Sequence, residues 1–69
     1  MDFKWEDGFT LRVAVEDGTA VIRGNTEGLV SLANHLLALS GESTGSHFHL
    51  DTYNALEEGS AELIAEKTE

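Results

Sequence analysis

The residues of this chain whose types and spacing could do chemistry are two histidines, an aspartate and a pair of arginines. In Ser46-His47-Phe48-His49-Leu50-Asp51 polar and apolar residues alternate as in a strand, so His47 and His49 share one face while Phe48 and Leu50 turn to the other. Two imidazoles at that spacing suit two ligand positions on zinc or copper, with a third donor from Asp51, or from Glu62 or Glu66 on a neighbouring strand. A fixed site generally needs three or four such ligands, and the chain has no cysteine to add. The competing reading is of surface histidines that hydrogen-bond a partner or face solvent. The third histidine, His35, falls away from the leucines of a helix and reads as solvated.

Catalysis asks for more than these residues offer. Asp51 or Glu62 could orient His47 for acid–base work, but there is no nucleophile elbow and no Gly-rich phosphate loop ending in lysine. A single open sheet of this size also leaves little room for an enclosed pocket. The run Gly24-Asn25-Thr26-Glu27-Gly28 sits at a strand-to-helix junction, where free backbone N–H groups attract anions. Glu27 opposes that use, and a tight turn with a helix cap accounts for the segment. The sequence therefore reads as a binding protein with no catalytic residues and no cofactor.

With 69 residues and 13 acids against 4 Lys and Arg, the formal charge is −9. Residues 1–69 suffice for one domain, and a chain of this length buries only about 60% of the surface that it exposes unfolded. The charge disfavours nucleic acid as a partner and suits either simple solubility or a basic protein surface, such as a nuclease cleft approached through opposite fields. The lack of cysteine, of a leader-like segment at Met1–Glu6 and of any apolar run near the ~20 residues of a membrane span leads to the expectation of a soluble cytoplasmic protein.

The elements that must position the candidate residues follow from periodicity. Phe9 to Glu16 alternates, Asp17-Gly18 is a type I′ turn pair, and Thr19 to Arg23 resumes the extended pattern. A two-residue loop sets Arg12 opposite Arg23 and Val13 opposite Ile22, with Leu11, Val13, Val15, Ala20 and Ile22 on one apolar face. Like charges facing each other disfavour the pairing unless Glu62, Glu66 or acidic groups of a partner relieve them. A second pair, Asp7-Gly8, could fold back an N-terminal strand that sets Phe3 and Trp5 opposite Arg12 and Thr10, with Trp5 offering a cation–π contact to Arg12. The alternative is a flexible start with Trp5 over a core edge.

Asn25 or Thr26 can cap a helix that runs to Ser40, with Gly41 as its left-handed terminator. Leu29, Leu32, Ala33, Leu36 and Leu37 form its packing stripe, while Ser31 and Asn34 lie away from it. Gly28 in the first turn is costly in a helix and suggests a close approach to a strand or a partner. After the polar loop Glu42 to Gly45 and the histidine strand, Thr52 to Gly59 reads as a connection with one helical turn. Ser60 to Lys67 closes the domain as a strand with Ala61, Leu63 and Ala65 inward. The expectation is an α+β domain, ββαββ, with one helix on one face of a four-stranded, mainly antiparallel sheet. The uncovered face would then carry Arg12, Arg23, His47, His49, Ile64 and Trp5.

Several of these segments together resemble a known family. Gly24-Asn25 at a strand end, Gly28-Leu29 opening a Leu/Ala-rich helix, the His47-Phe48-His49-Leu50-Asp51 strand and Glu62-Leu63-Ile64 are similar to the pattern of the immunity protein 32 family of bacterial polymorphic toxin systems. The resemblance implies a cytoplasmic antitoxin that protects its cell by binding the toxic domain of a cognate toxin, and no catalytic residue comes with it. Two other classes fit the same surface: a homo-oligomer, for example a homodimer joined through the open sheet face, and a metal-binding module on His47, His49 and Asp51.

Overall fold

A computed structural model describes residues 4–69, with strands β1 (Leu11–Glu16) and β2 (Thr19–Gly24), helix α1 (Thr26–Ser40), and strands β3 (His47–Leu50) and β4 (Leu63–Glu66). The first hairpin has the register that its turn dictates. Asp17 and Gly18 both take positive φ, 52° and 78°, as type I′ requires, and Arg12 faces Arg23 while Val13 faces Ile22. β3 and β4 pair antiparallel, His49 opposite Ile64 and His47 opposite Glu66. Phe48, Leu50, Leu63 and Ala65 point inward, and the histidines and Ile64 point out.

The expected single sheet of four strands is instead two sheets of two strands each. Between them, residues 57–61 run along the free edge of β1. Glu57 N donates to the Leu11 carbonyl and Ala61 N to the Val13 carbonyl, each at 2.8 Å, while the Ser60 hydroxyl accepts the Val13 N–H at 3.2 Å. Four steps of one chain thus match two of the other. The surplus loops out through Gly59, whose φ of 87° takes it off the extended path. A side-chain oxygen stands where a regular ladder would offer a carbonyl, so β4 begins only at Leu63.

Asn25 caps α1 as expected, its Oδ1 accepting Gly28 N at 2.8 Å. At the other end Gly41 is not left-handed: its φ is −89°, and Lys67 Nζ covers the Ser40 carbonyl at 2.7 Å. A larger correction concerns the helix's rotation. The buried side is Gly28, Ser31, Leu32, His35 and Leu39, whereas Leu29, Leu36 and Leu37 of the expected stripe are 47, 46 and 70% exposed. Gly28 explains the difference, because a Cβ there would overlap the Thr10 carbonyl. Only a glycine can face that strand end so closely, and the residues above it on the same side follow it inward.

The N-terminal residues complete the burial. The Asp7-Gly8 turn forms, with Gly8 at φ 77° and Phe9 N bound to the Glu6 carbonyl, but residues 4–10 form no strand. Phe3 lies outside the described residues. Trp5 stacks on Phe9 at 4.5 Å between centroids and meets the edge of His35 at 4.3 Å, while Glu6 N donates to Ser31 Oγ at 2.9 Å. This strap covers Ser31 and His35, which explains why two polar residues expected at the surface are inside. His35 also meets Phe48 edge-on. The core against which these groups pack is Leu11, Val13, Leu32, Leu39, Phe48, Leu50 and Leu56.

Burial lowers the His35 pKa from its ordinary 6.5, and hydrogen bonding to the Lys4 backbone acts against that shift. A ring that holds its proton less tightly folded than unfolded contributes stability that is complete above the unfolded value and is lost as pH falls through the histidine range. Denaturant unfolding at pH 7.5 and 5 should show a larger acid loss for the wild type than for His35→Gln, and equal losses would contradict the assignment. Gly28→Ala should cost about 1–3 kcal/mol through overpacking on Thr10. Gly41→Ala, in a compatible conformation with its nearest new contact at 3.7 Å, should be neutral or stabilise by up to ~1 kcal/mol.

Candidate functional site

The face of the strands turned away from α1 is assembled by alternation alone. On the hairpin it displays Arg12, Ala14 and Glu16 of β1 with Thr19, Val21 and Arg23 of β2. On the second pair it displays His47 and His49 with Glu62, Ile64 and Glu66. Ile64, 58% exposed, is the large apolar residue among these charges.

The two arginines do face each other across the ladder. Relief comes from neither Glu62 nor Glu66. Arg23 Nη2 instead reaches past the Ala14–Val21 pair to Glu16 Oε1 at 3.1 Å, in an exposed ion pair worth at most about 1 kcal/mol. Arg12 makes no ion pair among the described residues. Its guanidinium passes close to Gly59, and a shallow groove beside it is lined by Thr10, Leu11, Arg23, Gly24 and Glu57. A carboxylate or a carbonyl from outside would find two guanidinium groups there, with Glu57 as the acid of the groove's own lining.

The histidines lie on the same side of the strands but do not build a closed site. His49 Nδ1 is 3.5 Å from Glu62 Oε2, and His47 Nδ1 is 3.4 Å from the Gly45 carbonyl oxygen. Asp51 does not join them, because its Oδ1 accepts the N–H groups of Tyr53 and Asn54 at 2.9 and 3.1 Å and caps the turn that follows. No group of three metal-binding side chains comes together among the described residues. Trp5 is also absent from this face. Its contacts with Phe9 and His35 hold it on the helix side, away from the cation–π contact expected with Arg12. The outward faces of the two strand pairs thus carry Arg12 and Arg23 on one and His47 and His49 on the other, while Trp5 lies elsewhere and Asp51 does not join the histidines as a ligand.

Sequence reasoning missed the outward side of α1, where Leu29, Val30, Leu36 and Leu37 are each 44% exposed or more. A signal was present. In a chain with 25% charged residues, Thr26–Ser40 contains one, Glu27, and so lacks the polar side of an ordinary surface helix. No helix among the described residues is long and apolar enough to cross a membrane.

The family model described as Immunity protein 32 matches residues 19–68, which take in β2, α1, β3 and β4. No curated protein matches the chain, and no solved structure does.

The geometry yields one expectation for metal. A ligand at a hundredfold excess over its Kd stabilises the fold by about 2.7 kcal/mol. Zinc should give the wild type no more protection in thermal unfolding than it gives His47→Ala/His49→Ala. Protection that disappears in the double variant would establish a metal centre here.

Proposed function

The chain belongs to the immunity protein 32 family, and from that premise we propose that it is a cytoplasmic antitoxin, which neutralises the toxic domain of a bacterial polymorphic toxin by binding it. The action is stoichiometric and involves no catalysis by this chain. The family match over residues 19–68 is the observation that carries this reading.

Charge supplies the physical support. A body of net charge −9 draws in a partner whose cleft is basic, as a nuclease's is, and accelerates encounter in a salt-dependent way. Once docked, specificity needs groups that the acidic background does not provide. Arg12 and Arg23 can donate hydrogen bonds to carbonyls and, in bidentate fashion, to carboxylates, His47 and His49 can donate or accept, and Ile64 offers an apolar contact at the edge of the polar groups. The open sheet face is accordingly the proposed toxin-binding surface.

Co-expression with the toxin encoded beside this gene should restore growth, and the purified pair should bind one to one. Arg12→Glu and Arg23→Glu should each weaken binding about tenfold or more, equivalent to ~1.4 kcal/mol, with folding intact by circular dichroism. Unchanged affinity in both variants would move the interface off this face. A neighbouring toxin that is neither bound nor neutralised by the wild type would end the antitoxin reading itself.

A further inference from the structure

The two strands of the first hairpin each have an edge turned away from the other, and only one of those edges is closed. Because Asp17-Gly18 makes a two-residue loop, Glu16 with Thr19, Ala14 with Val21 and Arg12 with Arg23 exchange the hydrogen bonds of the ladder. Leu11 and Val13 of β1 point their N–H and C=O groups the other way, where residues 57–61 bond the Leu11 carbonyl and both groups of Val13. Ala20 and Ile22 of β2 point theirs to the opposite side of the hairpin. No described residue bonds them there.

Nothing in β2 guards that edge. Thr19–Gly24 contains no proline and no lysine, and its register with β1 runs without a bulge, whereas soluble proteins ordinarily blunt an exposed edge with such features. The side chains beside it are uncovered too. On the hairpin's inner face Leu11 and Val13 are buried, but Ile22 and Val15 are 43 and 66% exposed and Ala20 is also exposed. Among protein surfaces, only another extended backbone offers acceptors and donors at the spacing of a strand's own.

Building on the antitoxin reading, on which this step rests, we propose that the edge of β2 receives an extended segment of the toxin, which joins the hairpin as a third strand. The N–H and C=O groups of Ala20 and Ile22 bond its backbone. Its side chains alternate between the bare apolar face at Ala20 and Ile22 and the outward face beside Val21 and Arg23. Charge selects the source. Acids stand at both ends of β2: Glu16 and Asp17 at the hairpin tip, and past Gly24 the Glu27 of the first turn of α1, which lines one hollow with Glu6 and Asp7. The cations nearby are Arg23, already paired with Glu16, Arg12 on β1, and Lys4 in that same hollow. From Thr19 to Ile22 the strand is uncharged. A segment with an apolar centre and Lys or Arg at its ends fits this order, and a net charge of −9 draws it from a basic protein. The β2 edge of a second copy would bring the same acids at both ends and the same −9.

Amide exchange followed by NMR on the labelled chain, free and bound to the toxic domain encoded beside this gene, reads the edge directly. On binding, exchange at the Ala20 and Ile22 amides should slow at least ~tenfold, while Val21 and Arg23, already bonded to β1, should change less. Ala20→Pro removes an N–H that faces away from β1 and so spares the ladder. It should raise the Kd for the toxic domain at least ~tenfold with an unchanged circular dichroism spectrum. Toxin binding that leaves both amides exchanging as in the free chain would overturn strand addition and leave the antitoxin reading standing. So would protection of those amides that grows with the concentration of the chain alone, since the edge would then belong to a second copy. A wild type that does not bind the toxic domain at all would end both readings together.

Discussion

The seating of the Thr10 backbone on the first turn of α1 is the contact on which the rest of the arrangement depends. Asn25 makes it from one side: its Oδ1 accepts both Gly28 N and Thr10 N, and its Nδ2 donates to the Gly8 carbonyl. Gly28 makes it from the other by having no side chain where the Thr10 carbonyl must pass. An asparagine cap usually satisfies one free N–H of a helix end. Here it also fixes the strand entry and the turn before it, so the position and rotation of α1 are set together.

That rotation divides the polar and apolar groups in an unusual way. His35 and Ser31 are drawn inside, where burial would be costly without the strap of Trp5, Glu6 and Phe9 to provide contacts and a hydrogen bond. The leucines displaced from the core are left on the surface. With seven large hydrophobic residues in the buried cluster among the described residues, the aromatic contacts around His35 form a substantial part of the interior. The strap therefore contributes to the core as well as covering it.

What the sequence made legible was local. Alternation and an Asp-Gly turn determine a hairpin register almost completely, because the turn permits one pairing and a slip would reverse the faces. The helix limits and the Asn25 cap were readable for the same reason. Helix rotation was not, because eight apolar residues spread around α1 leave the leucine stripe and the Gly28 side as competing inward faces, and periodicity favours the first. Gly28 held the answer, but its meaning depends on Thr10, 18 positions away in the chain. The break in the sheet was illegible for a similar reason, since nothing about Ser60 announces that its hydroxyl will take the place of a carbonyl for Val13. Of the candidate residues, Arg12, Arg23, His47 and His49 took the outward positions that strand alternation gives them, while Trp5, placed by an assumed hairpin, and Asp51, just past the end of β3, did not join them.

The two exposed surfaces differ in chemistry and do not compete for space. α1 lies against the inner side of the strands, so its own outward side and the open face of the strands point in broadly opposite directions. The uncharged outward side of the helix follows from the rotation that Gly28 imposes, whereas the charged face of the strands follows from their alternation.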